Sequence, residues 1–105
     1  MVNLELNEKG RGKFFIAENG EQLGEMEVAI TGKNLIAYHT EVQPKAEGKG
    51  YAKQLLGAMV DHARAHHLKV IALCPYVDAQ FRRHEADFND IWDKNYKSNQ
   101  DTQER

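Results

Sequence analysis

The sequence predicts an α+β domain in which an antiparallel meander is followed by a helix, an inner strand and a second helix. Three observations predict it: Asn19-Gly20 lies between two extended runs, a helical apolar spacing begins after Pro44, and a short, nearly all-apolar run follows that helix. At 105 residues the chain has the length of a single core. Its 41% hydrophobic and 29% charged residues are the balance of a globular chain, too apolar for a disordered one.

The elements follow in order. "VNLEL" near the start reads as a short edge strand, set off from the next run by the Gly10 region. In "KFFIAENGEQLGEMEVAI", Asn19-Gly20 supplies the two positive φ values of a type I′ turn, which predicts a β-hairpin. Met26, Val28 and Ile30 alternate with Glu25, Glu27 and Ala29, the pattern of a strand with one buried face. After the turn "TGKN", the run "NLIAYHTEV" (34–42) is rich in β-branched and aromatic residues and forms a third strand.

Beyond Pro44 the period changes. Ala52, Leu55, Leu56, Met59, Val60 and Ala63 follow i, i+3, i+4, i+7, i+8, i+11, an amphipathic helix of about four turns. His66-His67 closes it, and "LKVIAL" has the pattern of a strand covered on both faces. "CPYVDAQFRRHEADF" starts a second helix, with Pro75 at the first position, where no backbone donor is needed. Residues 1–93 read as one domain, and "KNYKSNQDTQER" (94–105), with few apolar residues, as a loose, flexible tail.

Charge and cysteine content narrow the functional classes. With 14 basic and 16 acidic residues the net charge is −2, so no broad field is available to hold nucleic acid or an anionic membrane, and any anion must be bound locally. No run is long enough to span a bilayer and no N-terminal stretch looks like a signal peptide. The single cysteine, Cys74, cannot form an internal disulfide, which makes the reducing cytoplasm the expected compartment.

The local signal for anion binding is "EGKGYAKQLL" (47–56), two glycines and a lysine where a helix begins. A helix N-terminus presents unsatisfied N–H groups and the positive end of the macrodipole, and glycines before it let a phosphate approach the backbone. Gly48 and Gly50 fit a diphosphate cradle with Lys49 as a mobile charge at its rim. The same glycines would also serve simply to turn the chain from strand to helix. Neither a P-loop nor a G-x-G-x-x-G dinucleotide fingerprint is present, and the segment follows a meander rather than lying inside a βαβ unit.

Val42, Pro44, Glu47, Gly48, Gly50, Ala52 and Leu55 match in order and spacing the acetyl-CoA motif V-x-P-x-x-[R/Q]-G-x-G-x-[G/A]-x-x-L. In this the chain resembles the GCN5-related N-acetyltransferase (GNAT) family. "HTEV", "GKGYAKQLL" and "LCPYVDAQF" together are similar to its small, single-domain predicted acetyltransferases, over about residues 3 to 90. The resemblance implies an N-acetyltransferase-like domain with a splayed central sheet. It also implies acetyl-CoA as co-substrate, held by Val42, Gly48, Lys49, Gly50, Tyr51 and Ala52. The pantetheine arm is expected between the strand ending at Val42 and "KVIAL", extending the sheet with its own amides. One departure stands out: Glu47 occupies the usual Arg or Gln position. Weaker CoA binding is the expected consequence, with Lys45 and Lys49 offsetting the carboxylate.

The chemical candidates are the strand-edge residues His39, Thr40 and Glu41 on one side and Cys74, Pro75 and Tyr76 on the other. His39 titrates near neutrality if unperturbed and could take a proton from an incoming amine; it could equally be a histidine hydrogen-bonded across the sheet. Cys74 could carry the acetyl group before passing it on, or be a small buried hydrophobe. Alternation puts Glu41 opposite Thr40 without saying which face looks into the cleft. Tyr76 could protonate the departing thiolate or simply pack. His62 and His66 have i, i+4 spacing but no evident third ligand, so no metal site is expected. Arg82 and Arg83 could reach the CoA 3′-phosphate or a substrate carboxylate.

The expected function is transfer of acetyl from CoA to an amine, on a small molecule or a protein, by direct attack with His39 or water as base. A backbone N–H near Val42 is the expected donor to the oxyanion. The alternative is a CoA or acyl-CoA binding module without efficient chemistry, since few residues follow Phe88 to shape an acceptor pocket. A protein partner completing that pocket fits either reading.

Overall fold

A computed structural model describes residues 1–96, so most of the expected tail, residues 97–105, lies outside the described residues. Five strands form one sheet in chain order: β1 (Asn3–Leu6), β2 (Arg11–Glu18), β3 (Glu21–Thr31), β4 (Asn34–Val42) and β5 (Lys69–Ala72). The first four are antiparallel, and β5 runs parallel to β4. A parallel neighbour needs a crossover connection, here provided by helix α1 (Tyr51–Ala65) after a 3₁₀ turn at Pro44–Ala46.

The expected hairpin forms at Asn19-Gly20, with φ of 54° and 80° joining Glu18 to Glu21. Pairing partners share a face, so Phe14, Met26 and Thr40 lie on one side of the sheet and Lys13, Glu27 and His39 on the other. The first face is the core. Phe14, Ile16, Met26, Val28, Leu35 and Ala37 are buried together with Leu55, Leu56, Met59, Val60 and Ala63 of α1, the residues singled out by helical spacing. β1 is the exposed edge strand that its short, mixed sequence predicts.

The second helical segment divides in two. Helix α2 (Pro75–Arg83) stops at His84, whose φ of −124° and ψ of 48° are not helical, and a short helix α3 (Glu85–Phe88) follows. The break lets the aromatic side chains fold back: Phe81 is fully buried, with ring centroids 4.7 Å from Phe88 and 5.7 Å from Trp92. Val70 and Ile71 are both buried, so β5 is covered on both faces although it ends the sheet. Its outer edge is closed by main-chain bonds, Val70 N–H to Ile91 O (2.6 Å) and Asp93 N–H to Val70 O (2.9 Å). Arg64 clamps the same segment by donating to both Asp90 carboxylate oxygens and to Asp87 O, which holds the Asp90 carboxyl below its usual range. Lys94 is tied to Glu85. Among the described residues no helix is long and apolar enough to cross a membrane.

His62 packs edge-on against Phe14 at 5.8 Å and stacks on His66 at 4.2 Å. Burial, and secondarily the charge of His66, push its pKa below the ordinary histidine value. The unfolded chain therefore binds this proton more readily, and the stability contribution, present above the unfolded pKa, is lost as pH falls through it. Urea midpoints of wild type should drop between about pH 7.5 and about pH 5, and His62→Gln should show a smaller drop. Identical drops would show that His62 does not couple to folding.

Candidate active site

The site is built where β4 and β5 part. β4 pairs with β5 only over Asn34–Ala37, opposite Lys69–Ala72. At that point β4 carries one extra residue: Val28 pairs with Ala37 and Glu27 with His39, leaving Tyr38 as a bulge. A bulge bends its strand and shifts the alternation of faces by one. Before it, Leu35 and Ala37 point into the core. After it, Thr40 and Val42 lie on that face, opposite Met26 and Gly24, while His39 and Glu41 lie on the other with Glu27 and Glu25. The face left undecided by alternation is thus fixed by Tyr38, and Thr40 is the inward residue. From Tyr38 to Val42 no described strand pairs with β4 on the β5 side.

Cys74 closes the base of this opening. Its N–H donates to Ala37 O (2.8 Å), the last pairing residue of β4, and its thiol lies 3.2 Å from Thr40 Oγ1. It is 1% exposed and provides the residue before α2. Tyr76 is half-buried against the core, and burial, with a smaller effect from Cys74, raises the pKa of its hydroxyl. His39 is placed differently. Its side chain is 57% exposed and its Nε2 lies 3.7 Å from Glu41 Oε1. The two sequence candidates for chemistry therefore have separate partners, Thr40 for Cys74 and Glu41 for His39. The Thr40 contact joins residues 34 apart, and no local pattern signals it.

At the C-terminal end of β4 the chain turns through Pro44–Ala46, anchored by buried Ala46, into the glycine segment. Gly48 and Gly50 have φ of +87° and +78°, the left-handed region that favours glycine, and a Cβ on either would project into open space. Gly50 is the N-cap of α1; no side chain caps the helix and its first turn holds no acidic residue. The first bond to close is Gln54 N–H to Gly50 O (3.1 Å), so the N–H groups of Tyr51, Ala52 and Lys53 have no helical acceptor. Together with the positive helix end these are donors suited to an anion, and the space in front of the glycines is open. Val42 and Leu55 of the motif come together over Gly24, where a Cβ would lie 3.5 Å from a methyl group of each.

The side chains around this loop correct one expectation. Lys45 does not offset Glu47: it is bound to Glu21 at 2.6 Å. Glu47 is exposed, and among the described residues no ion pair engages Lys49. Tyr51 turns its hydroxyl to Glu18 Oε2 (3.0 Å), and that bond raises its pKa. Arg82 is committed to Asp78 at 2.9 Å and lies over Trp92. Among the described residues no group of three or more His, Cys, Asp and Glu is arranged to hold a metal ion.

Comparisons with known proteins bear on the family and the fold. Residues 13–91 match the family model described as GCN5-related N-acetyl-transferase. A protein from Staphylococcus aureus, solved in solution and described as GCN5-like, is 28% identical, with a TM-score of 0.63 and 86% of each chain covered. The ribosomal-protein-S18-alanine N-acetyltransferase of Escherichia coli shares the fold at 13% identity and a TM-score of 0.57, over 63% of this chain and 43% of its own. The ribosomal-protein-alanine N-acetyltransferase of Brucella melitensis does so at 19% identity and the same TM-score, over 73% of this chain and 59% of its own. The chain thus spans about half the length of these two enzymes. No curated protein matches it in sequence.

Removing the Thr40 hydroxyl leaves the buried thiol without its partner. Thr40→Val should cost about 0.5–1.5 kcal/mol, and Thr40→Ser, which keeps the hydroxyl, much less. Urea denaturation of the two variants checks this, and equal losses would mean that the methyl group, not the hydrogen bond, is what the site uses.

Proposed function

Because the chain belongs to the GCN5-related N-acetyltransferase family, we propose that it transfers an acetyl group from acetyl-CoA to an amine of a small molecule or a protein. The observation that carries this reading is the coincidence of two features: an uncapped helix N-terminus behind two left-handed glycines, and a β4 edge freed from its neighbour just below it.

Acetyl-CoA supplies an activated acyl group. The N–H groups of the segment Gly48, Lys49, Gly50, Tyr51 and Ala52 hold the diphosphate, with Lys49 at the rim. Main-chain groups between Val42 and Tyr38 that face the β5 side, where no described strand pairs with them, bond the pantetheine amides as a neighbouring strand would. That path leads to the opening floored by Thr40 and Cys74. An amine attacks the thioester carbonyl carbon as the carbon–sulfur bond breaks, and a main-chain N–H near Val42 donates to the carbonyl oxygen as charge develops there. His39, exposed and beside Glu41, takes the amine proton directly or through water. The same exposure leaves the acceptor side open to a small amine or to a protein partner that completes it.

Direct transfer is the better-supported route. Cys74 as acetyl carrier would need a reactive, accessible thiolate, whereas its thiol is 1% exposed and hydrogen-bonded to Thr40.

Incubation with acetyl-CoA and a panel of amines, followed by thiol release and mass spectrometry, tests the reading. Turnover supports an enzyme, and binding alone reduces the protein to a CoA-binding module. Gly50→Glu puts a negative side chain into the space in front of α1 and should abolish CoA affinity in a folded protein; unchanged affinity by titration calorimetry would move the diphosphate elsewhere. Cys74→Ala should keep most of the turnover at a stability cost on the order of 1 kcal/mol. A hydroxylamine-sensitive acetyl mass on Cys74 that is chased into product would instead establish the cysteine route.

A further inference from the structure

The tip of the β2–β3 hairpin meets the chain before and at the start of α1 through one ion pair, Lys45 with Glu21, and one side-chain hydrogen bond, from Tyr51 to Glu18. β3 carries an extra residue, Leu23, since Ile16 pairs with Gly24 and Ala17 with Gln22. This bulge bends the hairpin tip, and Leu23 O accepts from Gln43 N–H (2.8 Å) at the start of the loop. Beyond it Glu18 accepts from the Tyr51 hydroxyl at the first residue of α1. Both carboxylate oxygens of Glu21 lie 2.6 Å from Lys45 Nζ. A cleft of about 250 Å³ separates the two walls, lined by Glu18, Glu21, Leu23, Lys45 and Lys49.

We propose that Glu21 is a built-in competitor for the phosphates of CoA: its carboxylate holds Lys45 in the free protein, and a phosphate entering the cleft takes that lysine from it. This rests on the CoA-binding reading above. Glu18 has the Tyr51 hydroxyl as partner, so Glu21 is the carboxylate that neutralises a cation of the cleft. The pair is 61% and 52% exposed, which makes it a weak, exchangeable ion pair rather than a fixed structural one. The chemistry recognised is a phosphate monoester or diphosphate, for which the ammonium has the same affinity of kind as for a carboxylate but a larger opposing charge. The cost of breaking the internal pair is subtracted from binding, so Glu21 sets affinity for the phosphorylated end of the substrate and not for its thiol arm.

The test is a double-mutant cycle read with two ligands, CoA and pantetheine, which has the same thiol arm without phosphates. Glu21→Gln should tighten CoA binding about two- to fivefold, the worth of an exposed ion pair, and leave pantetheine unchanged. Lys45→Gln should weaken CoA binding, and the double variant should match Lys45→Gln alone, because Glu21 then has nothing to withhold. Wild-type affinity for CoA in Glu21→Gln, or an equal gain for pantetheine, overturns the proposal while leaving CoA binding intact. A wild-type chain without CoA affinity removes the functional reading itself, and the proposal with it.

Discussion

Everything at the candidate site depends on how short the parallel contact between β4 and β5 is. Four residue pairs join them, and after Ala37 β4 runs on past the end of β5. Because β5 is parallel to β4, the connecting helix must start at the C-terminal end of β4, so the positive end of α1 arrives where the sheet opens. Unpaired main-chain groups and an unpaired helix end are each costly if buried; placed together at one open end they stay within reach of solvent or of a ligand. The glycine segment then needs only to keep side chains out of the way.

The opening does not unravel because its base is fastened. Cys74 bonds to the last paired residue of β4 through its backbone and to Thr40 through its side chain. The far side of β5 is closed by the segment around Ile91–Asp93, held in turn by Arg64 and Asp90. No buried side-chain polar atom is left without a partner among the described residues. His39, Glu41 and the glycine segment before α1 are exposed.

What the sequence made legible was local. The Asn19-Gly20 turn, the apolar stripe of α1 and the spacing from Val42 to Leu55 each rest on neighbours a few residues apart, and each is found where its pattern put it. The end of the second helix was not legible, because the apolar and charged residues from Pro75 to Phe88 carry no breaker at His84. Which face His39 and Thr40 take was not legible either, since it follows from an insertion in one strand relative to its partner. The engagement of Lys45 by Glu21 is of the same sort: the two residues are 24 apart, and only the packing of the hairpin tip brings them together.

The bulge at Tyr38 also says something about heritable variation. Residue kind at position 38 is loosely constrained by packing, as the Tyr38 side chain lies outside the core. Residue number is not. Losing a single codon at Tyr38 would restore an uninterrupted ladder with β3, keep every remaining side chain on its present face, and remove the local bend of β4. The course of β4 past the end of β5 is thus set by a count of residues more than by their chemistry.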